Sequence, residues 1–346
     1  MDSSGQASFE ELAEFIEDAE TFAVCGHINP DGDSIGSVLG MTAALRQAGK
    51  EATPLLADGV RPPHKYSFLE GYCDFVRASD CTGIPDVLIQ VDTATPDRMG
   101  EARAIMQQCA KSISIDHHPG EGIGADMERC DASACSASIL VWQLAKAMVG
   151  EPDPFVAAAC YTGILTDTGC FLFQNANSDA FAFASEMVEA GADPSLVANE
   201  VYHSKPLGLL RLEGRIISRI EVTPEGRVAY SWTSNCDNEE LDVRREDAEG
   251  LVDIVRSVDG IDVAVLMRGR KDDIRCSIRS KGAYDVSGFA RQFGGGGHRA
   301  AAGFTVEGHI EQEKSMIVSA LEELERHIIA VEEQQQILAD DDRDAV

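Results

Sequence analysis

The sequence has no long apolar run, few aromatic residues and no closely paired cysteines. No hydrophobic segment approaches the roughly 18 residues of a membrane span, so we expect neither a transmembrane helix nor a signal peptide, and the cytoplasm is the expected compartment. The 10 cysteines include no C-x-x-C pair, which argues against structural zinc and favours reduced thiols over disulfides. Aromatic residues make up 6% of the chain, too few for a single-stranded DNA channel.

Positive charge is also scarce. The chain contains 29 Lys and Arg residues against 59 Asp and Glu residues, and its formal net charge is -30. Such a surface repels long polyanions, so we expect no binding of long duplex DNA and no membrane association. A nucleic-acid substrate would have to be short and held locally. Part of the acidic excess lies in residues 331–346, which by composition predict a fraying helix with a solvated acidic end.

The 346 residues, 44% of them hydrophobic, suffice for two packed cores. The first half alternates short apolar strands with amphipathic helices, which predicts an α/β fold with a doubly wound, mainly parallel sheet and helices on both faces. The later segments predict a smaller α/β domain with a mixed sheet. The expected divisions are a first domain over 1–204, a connecting helix over 205–220, a second domain over 221–330 and an acidic tail over 331–346.

Polar side chains gather at the predicted ends of the strands, which is where open α/β sheets bind ligands. The stretch SISIDHHPG alternates as a strand does and ends in three metal-capable residues before a Pro-Gly turn. The full set of candidate metal-site residues is His27, Asp31, Asp33, Asp92, Asp116, His117, His118 and Asp167. Without matching basic residues, these groups would repel one another unless divalent cations lay between them. Carboxylate and imidazole ligands without sulfur favour Mn²⁺, with Mg²⁺, Fe²⁺ or Co²⁺ as alternatives.

Each motif alone has a simpler structural interpretation. Asp31 stands before a predicted helix and would make a good N-cap, and an aspartate that ends a strand is usually a cap or turn residue. Four such motifs between residues 27 and 167 nevertheless favour a metal site over four unrelated structural roles.

Taken in order, the motifs resemble those of the DHH phosphoesterases. The segments HINPDGDSIG (27–36), VDT (91–93), DHH (116–118) and TDTG (166–169) match the family's four motifs, and FGGGGH (293–298) resembles the signature of its C-terminal DHH-associated domain. The resemblance covers nearly the whole chain and is greatest to the short, two-domain NrnA type of nanoRNases and pAp phosphatases. The sequence departs from these relatives near Ser138, where many carry a glutamate.

The resemblance implies two divalent ions and a role for each residue of the motifs. One ion would be held by His27, Asp31 and Asp92, and the second by Asp33, Asp92, His117 and Asp167, with Asp92 bridging. Such a pair activates a water for in-line hydrolysis of a phosphoester without a covalent protein intermediate. His118 would face the phosphate or leaving oxygen as a hydrogen-bond donor or acid, and Asp116 would orient the ligands.

The second domain contains a glycine run that stability alone does not explain. Four consecutive glycines lose backbone entropy and bury no side chain, so the run predicts close backbone approach or unusual dihedral angles, with amides able to meet an anion. A flexible loop is the simpler alternative. Basic residues follow the run, and two arginines alternate along one predicted strand face. The expected substrate-binding residues are Gly294, Gly295, Gly296, Gly297, His298, Arg299, Arg275 and Arg279; Arg268 and Arg270 are interpreted as solvated hairpin charges.

The resemblance implies a catalytic, metal-binding first domain and a substrate-binding second domain. It also implies hydrolysis of oligoribonucleotides of about two to five residues and conversion of pAp to AMP. The net charge agrees with a short substrate, since a longer polyanion is repelled. Substrate length would be limited by a cleft between the domains. The main alternative is a phosphodiesterase for cyclic or linear dinucleotides. A pyrophosphatase should lack the glycine run, a RecJ-like exonuclease would need more basic surface, and a non-catalytic nucleotide-binding protein should have a broken motif. Because relatives are often dimeric, a homodimer is also expected.

Overall fold

The computed structural model describes residues 6–243, 248, 250–281 and 284–344. The chain divides into two compact units, Met1–Lys205 and Pro206–Val346. Among the described residues, no helix combines the length and apolarity needed to cross a membrane.

The first unit is built on a six-stranded sheet in which every strand pair is parallel. Its strands are β1 (Thr21–Cys25), β2 (Glu51–Leu56), β3 (Val76–Arg77), β4 (Val87–Val91), β5 (Lys111–Asp116) and β6 (Met127–Cys130). They follow the order β3-β2-β1-β4-β5-β6. The order reverses direction between β1 and β4, so the carboxyl ends of these two neighbouring strands form the switch point at which doubly wound sheets bind ligands.

Helices cover both faces of this sheet. The helices of the unit are α1 (Phe9–Glu17), α2 (Gly32–Gln47), α3 (Ala102–Met106), α4 (Ala137–Val149), α5 (Pro154–Asp167), α6 (Ser178–Glu189) and α7 (Pro194–Ala198), the last followed by a π-helical turn, Asn199–His203. One face packs against α2, α4 and α5, and the other packs against α3 and a 3₁₀ turn, Pro96–Met99. β4 is buried along its whole length, as a strand covered on both faces requires.

The second unit contains a mixed sheet with strands β7 (Glu221–Val222), β8 (Val228–Thr233), β9 (Val263–Gly269), β10 (Asp273–Ser280), β11 (Gly296–His298) and β12 (Ala301–Glu307). The strand order is β11-β12-β10-β9-β8-β7, with β8 and β9 parallel and the other pairs antiparallel. Its helices are α8 (Leu207–Ser218), α9 (Asn235–Glu240), α10 (Val252–Arg256), α11 (Val286–Gln292) and α12 (Ile310–Asp344). The expected fold class, a parallel α/β domain followed by a smaller one with a mixed sheet, is confirmed.

The helix expected to connect the domains packs within the second unit. Leu209, Leu212 and Ile216 on one side of α8 join a hydrophobic cluster with Ala229 of β8 and Leu266 of β9. Those apolar positions therefore serve a core. Before α10, residues 244–247 and 249 lie outside the described residues.

The last helix is continuous and makes polar contacts with the β7–β8 turn. Glu325 is buried, and its carboxylate accepts hydrogen bonds from the Arg227 amide at 2.8 Å, the Glu225 amide at 3.2 Å and the Thr223 hydroxyl. Seven residues later, Glu332 accepts two bonds, 2.7 and 2.8 Å long, from the Arg227 guanidinium. The segment expected to be a solvated tail thus contributes at least Glu332 to the folded unit, because the Glu332 carboxylate pairs with the Arg227 guanidinium of the β7–β8 turn.

Candidate metal centre

Two neighbouring strands deliver the first polar groups to the switch point of the parallel sheet. His27 lies two residues beyond β1, and Asp92 directly follows β4. Both side chains are almost fully buried, with 4% and 3% of their surface exposed. Asp116 is the last residue of β5, the next strand in the sheet. The sheet topology therefore gathers three of the four sequence motifs at one edge.

The first cluster consists of His27, Asp31 and Asp92. The His27 Nε2 atom lies 3.6 Å from Asp31 Oδ2 and 3.4 Å from Asp92 Oδ2. The other ring nitrogen, Nδ1, lies 2.8 Å from the carbonyl oxygen of Ile28. A carbonyl can only accept, so Nδ1 carries a proton, and Nε2 is the ring nitrogen that faces the two carboxylates.

Asp31 combines a structural role with its place in the cluster. Its Oδ1 atom accepts hydrogen bonds from the amides of Asp33 and Ser34, both at 3.1 Å, and so caps the N-terminus of α2. The other oxygen, Oδ2, is the one that faces His27. The N-cap interpretation is therefore confirmed for Oδ1, and Oδ2 is the oxygen that faces the first cluster.

The second cluster consists of Asp33, His117 and Asp167, with Asp92 beside them. The His117 Nε2 atom lies 3.7 Å from Asp33 Oδ2, 3.9 Å from Asp167 Oδ2 and 3.5 Å from Asp92 Oδ1. The potential ligand atoms of His27, Asp31 and Asp92 lie within 4.8 Å of one another, and so do those of Asp33, His117 and Asp167. Asp92 thus turns Oδ2 toward one cluster and Oδ1 toward the other.

The backbone at Asp92 is in the left-handed region, with φ of +50°, which is uncommon for a residue other than glycine. Its amide donates a 2.9 Å hydrogen bond to the carbonyl of Ile115 on β5. This conformation costs on the order of 1–3 kcal/mol, and such outliers concentrate at functional sites.

Asp33 is anchored to the N-terminus of a second helix, α4. Its Oδ2 atom accepts from the Ala137 amide at 2.7 Å, and Oδ1 accepts from the Ser138 amide at 3.1 Å and the Ser138 hydroxyl at 2.6 Å. The Ser37 hydroxyl donates a longer bond, 3.3 Å, to the same oxygen. Sequence reasoning missed Ser37 in this role. Its spacing from Asp33, four residues along one helix, was the available signal.

Asp116 organises the two histidines that follow it. One oxygen, Oδ1, accepts hydrogen bonds from the amide of His117 at 2.8 Å, the amide of His118 at 3.3 Å and the His118 Nδ1 atom at 2.8 Å. The His118 Nδ1 atom also lies 3.7 Å from Asp92 Oδ1, so this imidazole borders the second cluster. Bonding at Nδ1 fixes the tautomer and the orientation of the ring.

The concentration of carboxylates shifts the pKa values of the cluster residues. Burial lowers the pKa of the His27 imidazolium, but hydrogen bonds to Asp31 and Asp92 outweigh it and raise the pKa to about 10. The same holds for His117. Burial lowers its pKa, but the hydrogen bond to Asp92 and the negative charges of the surrounding aspartates raise the pKa to about 10. Burial and neighbouring carboxylates raise the pKa of Asp33 and of Asp167. Protons supply the positive charge here, and divalent cations fit the same oxygen and imidazole donors.

In the second unit, Arg275 and Arg279 lie on one face of β10, as expected, alternating with the buried Ile274, Cys276 and Ile278. The Arg275 guanidinium donates a 3.3 Å bond to the Thr305 hydroxyl. A β-carbon at Gly303 would lie 2.9 Å from Arg275 Nη2, so this side chain lies against the β12 backbone.

The glycine run forms a turn and the edge strand β11, with the unusual dihedral angles expected of it, and not the flexible loop that was the simpler alternative. Gly294 has φ of +71° and Gly297 has φ of +143°. A β-carbon at Gly295 would lie 2.2 Å from the Gly303 carbonyl oxygen, and one at Gly297 would lie 2.5 Å from that of Ala301. Close backbone approach explains these two glycines, whereas Gly296 has open space around it. The backbone of His298 belongs to β11, Arg299 is exposed, and the side chain of His298 lies outside the described residues.

A parallel sheet with two carboxylate–imidazole clusters at its switch point has the arrangement of a metal-dependent phosphoester hydrolase. Residues 21–164 match the N-terminal domain of the DHH family, and residues 225–328 match the DHHA1 domain. The chain belongs to the DHH family of phosphoesterases.

Two curated relatives span most of the chain. The bifunctional oligoribonuclease and PAP phosphatase NrnA of Thermus thermophilus is 31% identical over 306 residues, which cover 87% of this chain and 89% of that protein. The protein of the same name from Bacillus subtilis is 31% identical over 299 residues, covering 86% and 92%. A solved structure, an exopolyphosphatase-related protein from Bacteroides fragilis, is similar with a TM-score of 0.84 and 25% identity, covering 91% of this chain and 95% of that one.

Proposed function

We propose that this chain hydrolyses oligoribonucleotides of about two to five nucleotides to nucleoside monophosphates and also removes the 3'-phosphate of pAp. The observation that carries the proposal is that the two clusters share Asp92. Its Oδ2 atom lies 3.4 Å from His27 Nε2, and its Oδ1 atom lies 3.5 Å from His117 Nε2. Relatives that are 31% identical along most of this chain are named for these two activities.

We infer that each cluster holds one divalent cation. The first ion would be bound by His27, Asp31 and Asp92, and the second by Asp33, Asp92, His117 and Asp167. A donor set of carboxylate oxygens and imidazole nitrogens without sulfur favours Mn²⁺, and Mg²⁺ or Co²⁺ would also fit. When bound, such ions supply a water of lowered pKa and positive charge beside the attacking and leaving oxygens.

The protein's own contribution lies in holding these groups in place. The bond from His118 Nδ1 to Asp116 makes Nε2 the nitrogen that can exchange a proton with the substrate. We therefore assign His118 as the donor to the phosphate or leaving oxygen and Asp116 as the residue that orients it. The α4 amides hold Asp33 so that its carboxylate stays beside His117.

The second unit would select the substrate. Arg275 and Arg279 on β10 and Arg299 beside the glycine run provide positive charge for phosphates, and the backbone of Gly294–Gly297 provides amides, with His298 as a further contact. The net charge of -30 disfavours a long polyanion elsewhere on the surface.

Two further expectations accompany this proposal. All 10 cysteines are unpaired, which supports a reducing compartment such as the cytoplasm. A homodimer stays a prediction from the resemblance, and sedimentation velocity would check it.

The test is hydrolysis, in Mn²⁺ and in EDTA, of a diribonucleotide, an RNA of five residues, a much longer RNA, pAp, cyclic di-AMP and pyrophosphate. We expect Mn²⁺-dependent turnover of the short RNAs and pAp, with the long RNA largely spared.

Asp167→Asn should abolish this turnover. The matched control is Asp153→Asn, because Asp153 caps the other end of the same helix, α5, where asparagine caps equally well. Turnover of the cyclic dinucleotide or of pyrophosphate alone would overturn the proposal, as would full activity of Asp167→Asn.

A further inference from the structure

The segment that follows Asp167, residues 168–176, is held firmly against this residue, and we call it the Asp167 loop. The amides of Leu172 and Phe173 both donate 3.0 Å hydrogen bonds to the carbonyl of Thr168. The Asn175 side-chain amide donates to the Asp167 carbonyl at 3.1 Å and to that of Cys135 at 3.2 Å. A loop tied to a metal-cluster residue in this way presents its outer side chains at a fixed position relative to the site.

The loop has an unusual backbone. Two consecutive residues other than glycine, Cys170 and Phe171, have φ of +60° and +61°, and Gly169 has φ of +55°. Each left-handed residue other than glycine is unfavourable, so the surrounding bonds must hold the loop in this form, and such strain concentrates at functional sites.

The two phenylalanines of the loop have different environments. Phe171 stacks on Phe181 of α6, with ring centroids 4.9 Å apart. The ring of Phe173 packs, among other contacts, on Gly169, where an added β-carbon would lie 2.4 Å from it. Phe173 therefore contacts a residue that is only two positions from Asp167 in the sequence. This packing, together with the positive φ of Gly169, explains the glycine of the TDTG motif.

Part of the outer surface of the loop, next to the exposed Gln174 and Asn175, is apolar although the adjacent clusters are charged. Leu172 is 83% exposed and Phe173 is 42% exposed. An exposed leucine beside an exposed aromatic ring, on a loop held in a strained form, suits a flat apolar ligand. A substrate phosphate at the clusters brings its own nucleoside, and a nucleobase has the apolar faces that stack on an aromatic ring.

We propose that Phe173, flanked by Leu172, is the surface on which a nucleobase of the substrate stacks. This inference rests on the proposed function and identifies a residue that would determine specificity for nucleotides over phosphoesters without a base. It requires an aromatic ring at position 173, whereas a structural role in covering Gly169 requires only an apolar side chain.

The experiment compares Phe173→Leu and Phe173→Tyr with the wild-type protein. Both variants keep an apolar contact with Gly169, and only tyrosine keeps the aromatic face. Phe155→Ala is the matched control, because Phe155 is 50% exposed on the first turn of α5, the opposite end of the helix from Asp167. The measurements are KM and kcat for a diribonucleotide, and the affinities for AMP, for ribose 5-phosphate and for Mn²⁺ by calorimetry.

We expect Phe173→Leu to raise the KM for the diribonucleotide and the Kd for AMP by about 5- to 150-fold, the range measured for loss of one stacked base. The affinities for ribose 5-phosphate and Mn²⁺ should not change, and Phe173→Tyr and Phe155→Ala should resemble the wild type. Equal losses for AMP and ribose 5-phosphate, or a wild-type affinity of Phe173→Leu for AMP, would overturn the inference. So would a change in sedimentation of Phe173→Leu, which would assign the surface to a second copy of the chain.

Failure of the proposed function has a separate signature. In that case the wild-type protein itself turns over neither the short RNAs nor pAp in Mn²⁺, and the stacking inference is overturned with it. If the wild type is active and Phe173→Leu has the same KM and the same affinity for AMP as the wild type, the proposed function stands and the stacking inference alone fails.

Discussion

Asp92 is the residue on which both clusters depend. It is 3% exposed, its backbone is left-handed, and its two oxygens face different histidines. Asp167 in contrast borders only the second cluster, where it lies 3.9 Å from His117. Removing these two carboxylates should therefore have different consequences for the number of ions bound.

We expect Asp92→Asn to bind neither Mn²⁺ ion tightly, because the amide replaces a charged ligand of both clusters. Asp167→Asn should keep one ion, because the amide replaces a charged ligand of the second cluster only. Equilibrium dialysis followed by metal analysis measures the stoichiometry, and Asp153→Asn should keep both ions. A stoichiometry of two for Asp92→Asn would show that this residue does not bridge.

Ser138 and Ser136 allow a comparison between two serines of the same helix terminus. Both are fully buried, but the Ser138 hydroxyl donates to Asp33 at 2.6 Å, whereas the Ser136 hydroxyl has no partner within the described part of the chain. A hydrogen bond to a charged group contributes about 1.5–3 kcal/mol.

Ser138→Ala should therefore weaken Mn²⁺ binding at the second cluster by about 10- to 100-fold, with Ser136→Ala close to the wild type. Calorimetric titration with Mn²⁺ measures this. Equal affinities for the two variants would mean that the α4 amides alone position Asp33.

At the scale of elements, α2 and α5 cross so closely that glycines are required at the contact. A β-carbon at Gly36 would lie 2.5 Å from the Ala159 carbonyl oxygen, and one at Gly163 would lie 1.8 Å from Ser138 Oγ and 2.6 Å from Asp33 Oδ1. The crossing brings Asp33 on α2 toward Asp167 at the end of α5. Helix packing and cluster geometry are thus coupled.

Gly163→Ala should destabilise the first unit by about 1–3 kcal/mol, as overpacking does, and weaken Mn²⁺ binding. Gly214→Ala on α8 is the control, since nothing lies within 4 Å of the added β-carbon, and it should stabilise the second unit by about 0.5–1 kcal/mol. Urea unfolding can follow each unit by its own tryptophan, Trp142 in the first and Trp232 in the second. A Gly163→Ala protein as stable as the wild type would contradict this account.

Elements with strong periodicity could be predicted, and elements that depend on tertiary partners could not. DVLIQVD and KSISID are strands because both faces are buried, and their apolar composition predicts this. β6 has only half-buried residues and forms by pairing with β5, and α1 starts with a capping box at Ser8 that sequence reasoning overlooked. The glycine run became a strand because β12 lies alongside it.

The proximity of the candidate site residues was predictable, because strand ends and motif order locate them, but their hydrogen-bond partners were not. His27, Asp92 and Asp116 had to meet at one edge of a parallel sheet. The hydrogen bonds to Asp33 come from α4, a helix more than 100 residues further along the chain. Ser138, for example, is 105 residues from Asp33. Such contacts follow from packing, which a local pattern does not encode.

For the whole molecule, a metal-free state should lose stability as the pH rises. The pKa values of His27 and His117 are raised to about 10, above their unfolded value of about 6.5, so their stabilising contribution is complete below pH 6.5 and is lost as the pH rises toward 10. The raised pKa values of Asp33 and Asp167 act in the same direction.

We therefore expect the Tm in EDTA to fall between pH 6 and pH 9. The stabilisation by Mn²⁺ should grow over the same range, because protons compete less for the ligands. Differential scanning fluorimetry measures both, and a His27→Gln, His117→Gln double variant should show a smaller fall in EDTA. A Tm in EDTA that rises with pH would contradict the assignment.

The contact between α12 and the β7–β8 turn also sets an order of events in time. The Glu325 carboxylate that accepts the Arg227 amide is 98 residues further along the chain. At a synthesis rate of about 5–20 residues per second, the turn exists for roughly 5–20 s before its buried partner is made. During that interval the first unit, which precedes it, has its whole sequence available. The half of the protein that contains the two clusters can therefore fold before the last helix of the second half is made.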